Sequence, residues 1–172
     1  MHFHVRDLEV RPKAFDVEIP VGELQFSDVM VRQTGPLRAQ GQAELVAGSL
    51  GEIRVRGHLS VTLEGECDRC LDPVALPVDS DFSLEYRPVA DGYGDEKEVL
   101  KEEAEIGFYQ GDGIDLADVL REFVLLSLPM QKICKDACKG ICPLCGRNRN
   151  IDECQCKAPG GDDRWAALRE RI

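Results

Sequence analysis

Residues 53–66, IRVRGHLSVTLEGE, alternate without a break. Ile53, Val55, Gly57, Leu59, Val61 and Leu63 fall on one side, and Arg54, Arg56, His58, Ser60, Thr62 and Glu64 on the other. Successive side chains of a strand point to opposite faces, so this period of two predicts a half-buried strand of an antiparallel sheet. The preceding LRAQGQAELVA, closed by the turn residues Gly48-Ser49-Leu50-Gly51, makes the first arm of a long hairpin over 37–66. Downstream, Val74 to Tyr86 (VALPVDSDFSLEY) continues the sheet after a turn at Cys67–Cys70. Pro77 marks an edge or a bulge there, because proline has no N–H for the ladder. Upstream, Phe3 to Val10 alternates in part and Ala14 to Ile19 more cleanly, up to Pro20.

Beyond the sheet, residues 88–105 (PVADGYGDEKEVLKEEAE) are acidic and without period, which predicts a mobile surface loop, and Ile106 to Tyr109 suits one more short strand. The clearest helix follows over 115–128. Asp115 stands at its N-cap and Asp118 in its first turn, while Leu116, Val119, Leu120, Phe123 and Val124 form an apolar stripe. Leu125, Leu126 and Leu128 widen that stripe, so the helix is expected to be well buried against the sheet, and Pro129 stops it. After Pro129 the composition turns to cysteine, lysine, glycine and asparagine. This places a domain boundary there: an acidic β-rich body over 1–130 and a cysteine-rich module over 131–172. Asp162 to Ile172 reads as a short terminal helix with Trp165, Leu168 and Ile172 on one face, Trp165 serving to dock it.

The chain has 172 residues, 43% apolar and 31% charged, a composition that suits one ordinary domain with a small appendage. No run of eighteen apolar residues is present to span a membrane, and Met1 to Val10 lacks the charged and apolar regions of a secretory signal. A cytoplasmic setting is therefore expected, where eight cysteines point to metal or catalysis and not to disulfides. Residues 1–130 hold 12 Lys/Arg against 26 Asp/Glu, and residues 131–172 hold 9 against 6. An acidic body repels phosphate backbones, which excludes tight nucleic-acid binding over the whole surface. It leaves a contact through the basic tail, or a basic protein partner for the body.

The cysteines run Cys134-x3-Cys138-x3-Cys142-Pro-Leu-Cys145-Gly, then Cys154-x-Cys156. Cys142-Pro-Leu-Cys145-Gly is a zinc-knuckle turn: proline fixes the approach, and glycine after the second cysteine lets N–H groups turn toward the sulfurs. Two thiolates at this spacing bind one tetrahedral Zn²⁺, and Cys154 with Cys156 can complete a four-cysteine site. So short a tail, with few apolar residues, has little else to fold it. Cys67-Asp-Arg-Cys70 is a weaker signal. A thioredoxin-like redox site needs its CxxC at the N-terminus of a helix, and here Asp72-Pro73 and a strand follow. Two readings stay open for it: a second zinc site shared with Cys134 and Cys138, bridging body and tail, or two idle cysteines.

A zinc ion held by four thiolates carries a formal −2, so Lys132, Lys135, Lys139, Arg147, Arg149 and Lys157 either offset that charge or contact RNA. His2, His4 and His58 lack metal-ligand spacing in the sequence. No phosphate loop, GxSxG or HExxH occurs, and Glu102-Glu103 sits in the solvated loop. Neither catalysis nor a small-molecule substrate is expected.

The segments CDRCLDPV, DGIDLADVLREFVLLSLPM, CKDACKGICPLCGRNRNIDECQC and DDRWAALRERI together resemble the YceD-like family, the large ribosomal RNA subunit accumulation proteins. The resemblance runs from about residue 37 to the end. It implies a bacterial cytosolic or plastid protein needed for normal levels of large-subunit ribosomal RNA, whose gene often neighbours that of a zinc-ribbon protein of the large subunit. No catalytic activity is attributed to the family. Some members lack the C-terminal cysteines, which implies that zinc there supports structure in one branch and is not the shared function. Arg149 departs from the pattern, where leucine is usual.

The expectation is thus an α+β protein: an antiparallel sheet or open β-barrel with one main packed helix, and a small C-terminal zinc-binding module. Its expected work is ribosome biogenesis through a ribosomal protein or large-subunit precursor. An RNA-binding zinc ribbon is the alternative, and a thiol oxidoreductase using Cys67–Cys70 the third reading.

Overall fold

The computed structural model describes residues 1–26, 30–89 and 106–156. The expected acidic loop, apart from Pro88 and Val89, and the expected terminal helix with Trp165 lie outside these residues. The chain divides into two compact units: Met1–Gly65 with Val74–Met130, and Glu66–Pro73 with Gln131–Ile172. The short turn Glu66–Pro73 thus groups with the cysteine-rich segment and not with the strands on either side of it.

Among the described residues, the first unit is built on eight strands: β1 (His2–His4), β2 (Lys13–Ile19), β3 (Val31–Gln33), β4 (Leu37–Leu45), β5 (Ile53–Glu66), β6 (Pro73–Pro88), β7 (Ile106–Tyr109) and β8 (Gly113–Asp115). Its helices are α1 (Val5–Leu8) and α2 (Leu116–Ser127). The main sheet is open, in the order β2-β4-β5-β6-β7, with β3 paired to β5 as well, while β1 and β8 form a separate pair. The hairpin read from 37–66 is β4 and β5, in register from Arg38 opposite Ser60 to Leu45 opposite Ile53. The apolar side of β5 is buried as its alternation requires, and Ile53, Val55, Leu59 and Leu63 are fully enclosed. In the middle of this hairpin two glycines face each other, Gly41 opposite Gly57. A Cβ on Gly41 would stand 2.2 Å from the Arg56 carbonyl oxygen and 2.8 Å from the Phe15 ring, so the absence of a side chain admits Phe15 to the core.

Three expectations need correction. The sheet is mixed, not purely antiparallel, because β7 runs parallel to β6 over Glu85–Pro88. Parallel neighbours need a crossover of a dozen or more residues, and the connection over 89–105 is long enough to provide one. Residues 5–8 form a single helical turn in place of the strand read through Phe3–Val10, and only Leu8 of that turn is buried. Finally, of the three leucines expected to widen the stripe of α2, Leu125 and Leu128 pack against the core beside the enclosed Leu116, Val119, Leu120 and Val124, whereas Leu126 is 71% exposed. The start of α2 is as read, since the Asp115 carboxylate accepts a hydrogen bond from the Ala117 N–H at 2.8 Å. Phe123 lies against Phe82 with ring centroids 5.1 Å apart, which seats α2 on β6. At Pro77 the outer side of β6 has no partner strand among the described residues, since β7 pairs only from Glu85 onward. That is where a strand tolerates proline.

Candidate metal centres

The second unit contains all eight cysteines, none of them in a disulfide. They gather into two groups, Cys67, Cys70, Cys134 and Cys138, and Cys142, Cys145, Cys154 and Cys156. Within each group the sulfurs all lie within 4.8 Å of one another.

The two CxxC segments share one backbone design. Gly146 N–H donates to the Cys142 carbonyl at 2.8 Å, and Leu71 N–H donates to the Cys67 carbonyl at 2.9 Å. One residue further on, the pattern repeats in reverse: Cys142 N–H donates to the Arg147 carbonyl and Cys67 N–H to the Asp72 carbonyl, both at 2.8 Å. The residue after the second cysteine is left-handed in both, Gly146 at φ 71° and Leu71 at φ 64°. Glycine reaches this region freely and leucine does not, so Cys67–Leu71 is a knuckle with an unfavourable residue at its key position. This is why the sequence of Cys67–Cys70 is a weak signal while its geometry matches the stronger one.

Neighbouring segments of the same unit fix the first knuckle. Asp68 N–H donates to the Lys132 carbonyl and Lys132 N–H returns a bond to Asp68 Oδ2, both at 2.7 Å. Ile141 N–H donates to the Arg69 carbonyl at 2.8 Å. Cys67 Sγ comes to 3.9 Å from Cys138 Sγ, and Cys70 Sγ to 3.6 Å from Cys134 Sγ. Four sulfurs at about 2.3 Å from one tetrahedral ion would stand about 3.8 Å apart, so these separations fit a zinc-sized ion. Cys67, Cys70 and Cys138 are buried, and Cys142 is the buried member of the other group.

The thiols within each group are unequal. Burial opposes ionisation of Cys67, but N–H groups of Cys134, Arg69 and Cys70 aimed at its sulfur hold its pKa at about 6. The N–H groups of Leu144 and Cys145, inside the second knuckle, do the same for Cys142, also at about 6. The Asn150 amide lowers Cys138, donating to its sulfur at 3.4 Å. Cys70 is pushed up: the Asp72 N–H favours its thiolate, but burial and the adjoining Cys67, Asp72 and Cys134 outweigh it. Cys156 is pushed up to about 12, first by the neighbouring Cys145 and then by desolvation. Thiolates packed this closely repel one another, and a divalent cation among them removes that conflict.

The structure adds three residues that the cysteine spacing did not reveal. Asn148 donates to both Asp72 carboxylate oxygens, at 3.0 and 2.9 Å, and Asp72 in turn accepts from Cys70 Sγ at 3.3 Å. Asn150, besides serving Cys138, accepts from the Lys139 N–H at 2.9 Å. Asn148 and Asn150 belong to the segment between Cys145 and Cys154, yet they support the other group. An NxN pair inside a cysteine run was the available signal.

The family described as large ribosomal RNA subunit accumulation protein YceD matches residues 55–170. The chain belongs to this family. YceD relatives include an uncharacterised Mycobacterium tuberculosis protein, 33% identical over 129 residues that cover 70% of this chain and 56% of that protein. An Arabidopsis thaliana relative named large ribosomal RNA subunit accumulation protein YCED homolog 1, chloroplastic, is 27% identical, covering 68% of this chain and 43% of its own. Bacillus subtilis YlbN, an uncharacterised protein, is 24% identical over 100% of this chain and 96% of its own length. The chain spans about half the length of the mycobacterial and plant relatives it matches. No solved structure matches it. Among the described residues of this YceD chain, no helix is long and apolar enough to cross a membrane.

Proposed function

We propose that the chain is a non-catalytic, cytoplasmic ribosome biogenesis factor that supports accumulation of large-subunit ribosomal RNA by binding a ribosomal protein or precursor particle. The family match carries this reading, with its plant relative named for the same role. We place one Zn²⁺ in each cysteine group, held by Cys67, Cys70, Cys134 and Cys138 and by Cys142, Cys145, Cys154 and Cys156. The sulfur separations of the first group support the ion's size, and the all-thiolate donor set of both favours Zn²⁺ over hard cations. Four protein ligands leave no open position on either ion, so both centres are structural. The 26 acids against 12 bases of residues 1–130 favour the body as the surface that meets a basic ribosomal component.

Direct RNA contact by the second unit is the rival reading, favoured by the exposure of Lys135, Arg147 and Arg149. Recovery of tagged protein from cells at low salt, followed by analysis of bound protein and RNA, separates the two. Large-subunit protein or precursor retained by a chain with Lys135, Arg147 and Arg149 changed to Gln supports contact through the body. Loss of all ribosomal material in that triple variant moves the contact to the zinc module. Absence of ribosomal material from the wild-type sample ends the proposal.

A further inference from the structure

His2 and His4 stand two residues apart on β1, so strand alternation turns both rings to one side, with centroids 4.6 Å apart. β8 pairs antiparallel with β1 and sets Gly113 opposite His4 and Asp115 opposite His2. Asp112, just ahead of β8, brings its carboxylate to both rings. Its Oδ2 lies 2.9 Å from His4 Nδ1 and its Oδ1 3.5 Å from His2 Nε2. The donor atoms of the three residues all lie within 4.8 Å of one another.

The backbone beneath them is tightly set. Val5 N–H donates to the Asp112 carbonyl at 2.8 Å, and a Cβ at Gly113 would stand 1.9 Å from the Phe3 carbonyl oxygen. Phe3, between the two histidines, is 3% exposed and points into the core, which fixes the opposite orientation of its neighbours.

We propose that His2, His4 and Asp112 form a binding site for a divalent first-row transition ion, with its remaining coordination positions open. Two imidazoles and one carboxylate suit Zn²⁺, Ni²⁺, Co²⁺ or Fe²⁺, whereas Ca²⁺ and Mg²⁺ require oxygen on every side. The nitrogen and oxygen donors bind such ions less strongly than four thiolates, so this site fills after the cysteine groups. Among the described residues, the cation that competes for Asp112 is Arg6, whose Nη2 lies 3.6 Å from Oδ2; its side chain is 77% exposed and free to turn toward water. The Met1 ammonium is engaged with Asp115 at 3.6 Å.

Ni²⁺ titration of the zinc-loaded full chain, followed by amide NMR and zinc release, tests the site. The expected result is one further equivalent bound, with paramagnetic broadening centred on residues 2–6 and 110–115 and no zinc released. Asp112→Asn and the double variant His2→Gln/His4→Gln should each weaken this binding at least as much as loss of an outer-shell partner does, roughly 10–100-fold. All three side chains are at least partly solvent-exposed, so unchanged spectra elsewhere will show that the variants fold. His58, which has Asp79 at 3.5 Å and Asp81 at 3.0 Å but no second histidine, is the internal control. Broadening centred on His58 or on the cysteine segments, no broadening at all, or equal affinity in the variants would each overturn the proposal.

Discussion

The two units are held together by different means. In the first, twenty-four buried apolar residues among those described, from both sheets and both helices, form one core. Among the described residues of the second, the buried apolar side chains are cysteines, while Leu144 is 52% exposed and Ile151 76%. One unit folds because its apolar surface leaves water, which needs no cofactor. The described residues of the other bury too little such surface to offset the cost of ordering their chain, and their sulfurs cluster where a cation would join them. The same protein should therefore respond to core mutation and to metal removal in separate regions.

The largest expected effect breaks the second unit alone. Cys145→Ser, or removal of metal with a strong chelator, should unfold residues 134–156 and leave the first unit folded. Zinc supplies on the order of 10 kcal/mol of folding free energy in small fingers, far more than this unit can replace. Amide exchange read over both units checks the claim; unchanged protection at 134–156 in the variant would show that something other than metal orders this segment.

The converse comes next in size. Leu63 is fully buried on β5. Leu63→Ala should cost about 2–5 kcal/mol in the first unit and leave the metal content unchanged. Denaturant unfolding with zinc analysis of the native variant measures both. A fall in bound zinc that tracks the fall in stability would mean that the two units fold as one, against the separation argued above.

Local patterns carried much of this into the sequence. The alternation of Ile53 to Leu63 and the cap-and-stripe pattern of Asp115 to Val124 each fix an element by contacts within a few residues, and both elements are present. The cysteine groups were readable in part because CPLCG encodes its own turn. What local pattern cannot hold is pairing across the chain. The parallel register of β6 and β7 is of this kind, as is the meeting of His4 with Asp112, 108 residues away. The His-x-His spacing was visible, but without its distant carboxylate it carried no ligand signal. The helical turn at Val5–Leu8 shows a different limit, because partial alternation over so few residues does not separate a strand from one turn of helix.

A smaller effect probes the support of the first cysteine group. Asn150→Ala removes the donor to Cys138 Sγ and the acceptor for Lys139 N–H, while every thiol remains. Loss of such a partner costs roughly 10–100-fold in metal affinity. Competition with a chromophoric chelator should show one zinc released more readily and the other unchanged. Equal weakening of both would indicate that the segment between Cys145 and Cys154 acts on the two centres as one piece.

The smallest effect belongs to the first unit and is set by pH. Tyr86 is buried on β6, and its hydroxyl donates to Glu122 Oε2 of α2 at 2.7 Å. Burial, then the Glu122 hydrogen bond and the Glu122 and Asp118 charges, raise its pKa well above the ordinary 10.0. The folded-state value lies above the unfolded one, so the phenol's stabilising contribution is complete below about pH 10 and is lost as pH rises through the folded-state value. Tyr86→Phe should therefore lie about 1 kcal/mol below wild type at pH 7, the usual net worth of one such bond. Above about pH 10 the gap should narrow, because only the wild-type unfolded chain gains by ionising residue 86. Unfolding curves of both proteins at pH 7, 9 and 11 test this; a gap that stays constant with pH would place the phenol in water instead of against Glu122, because its folded and unfolded pKa values would then be equal.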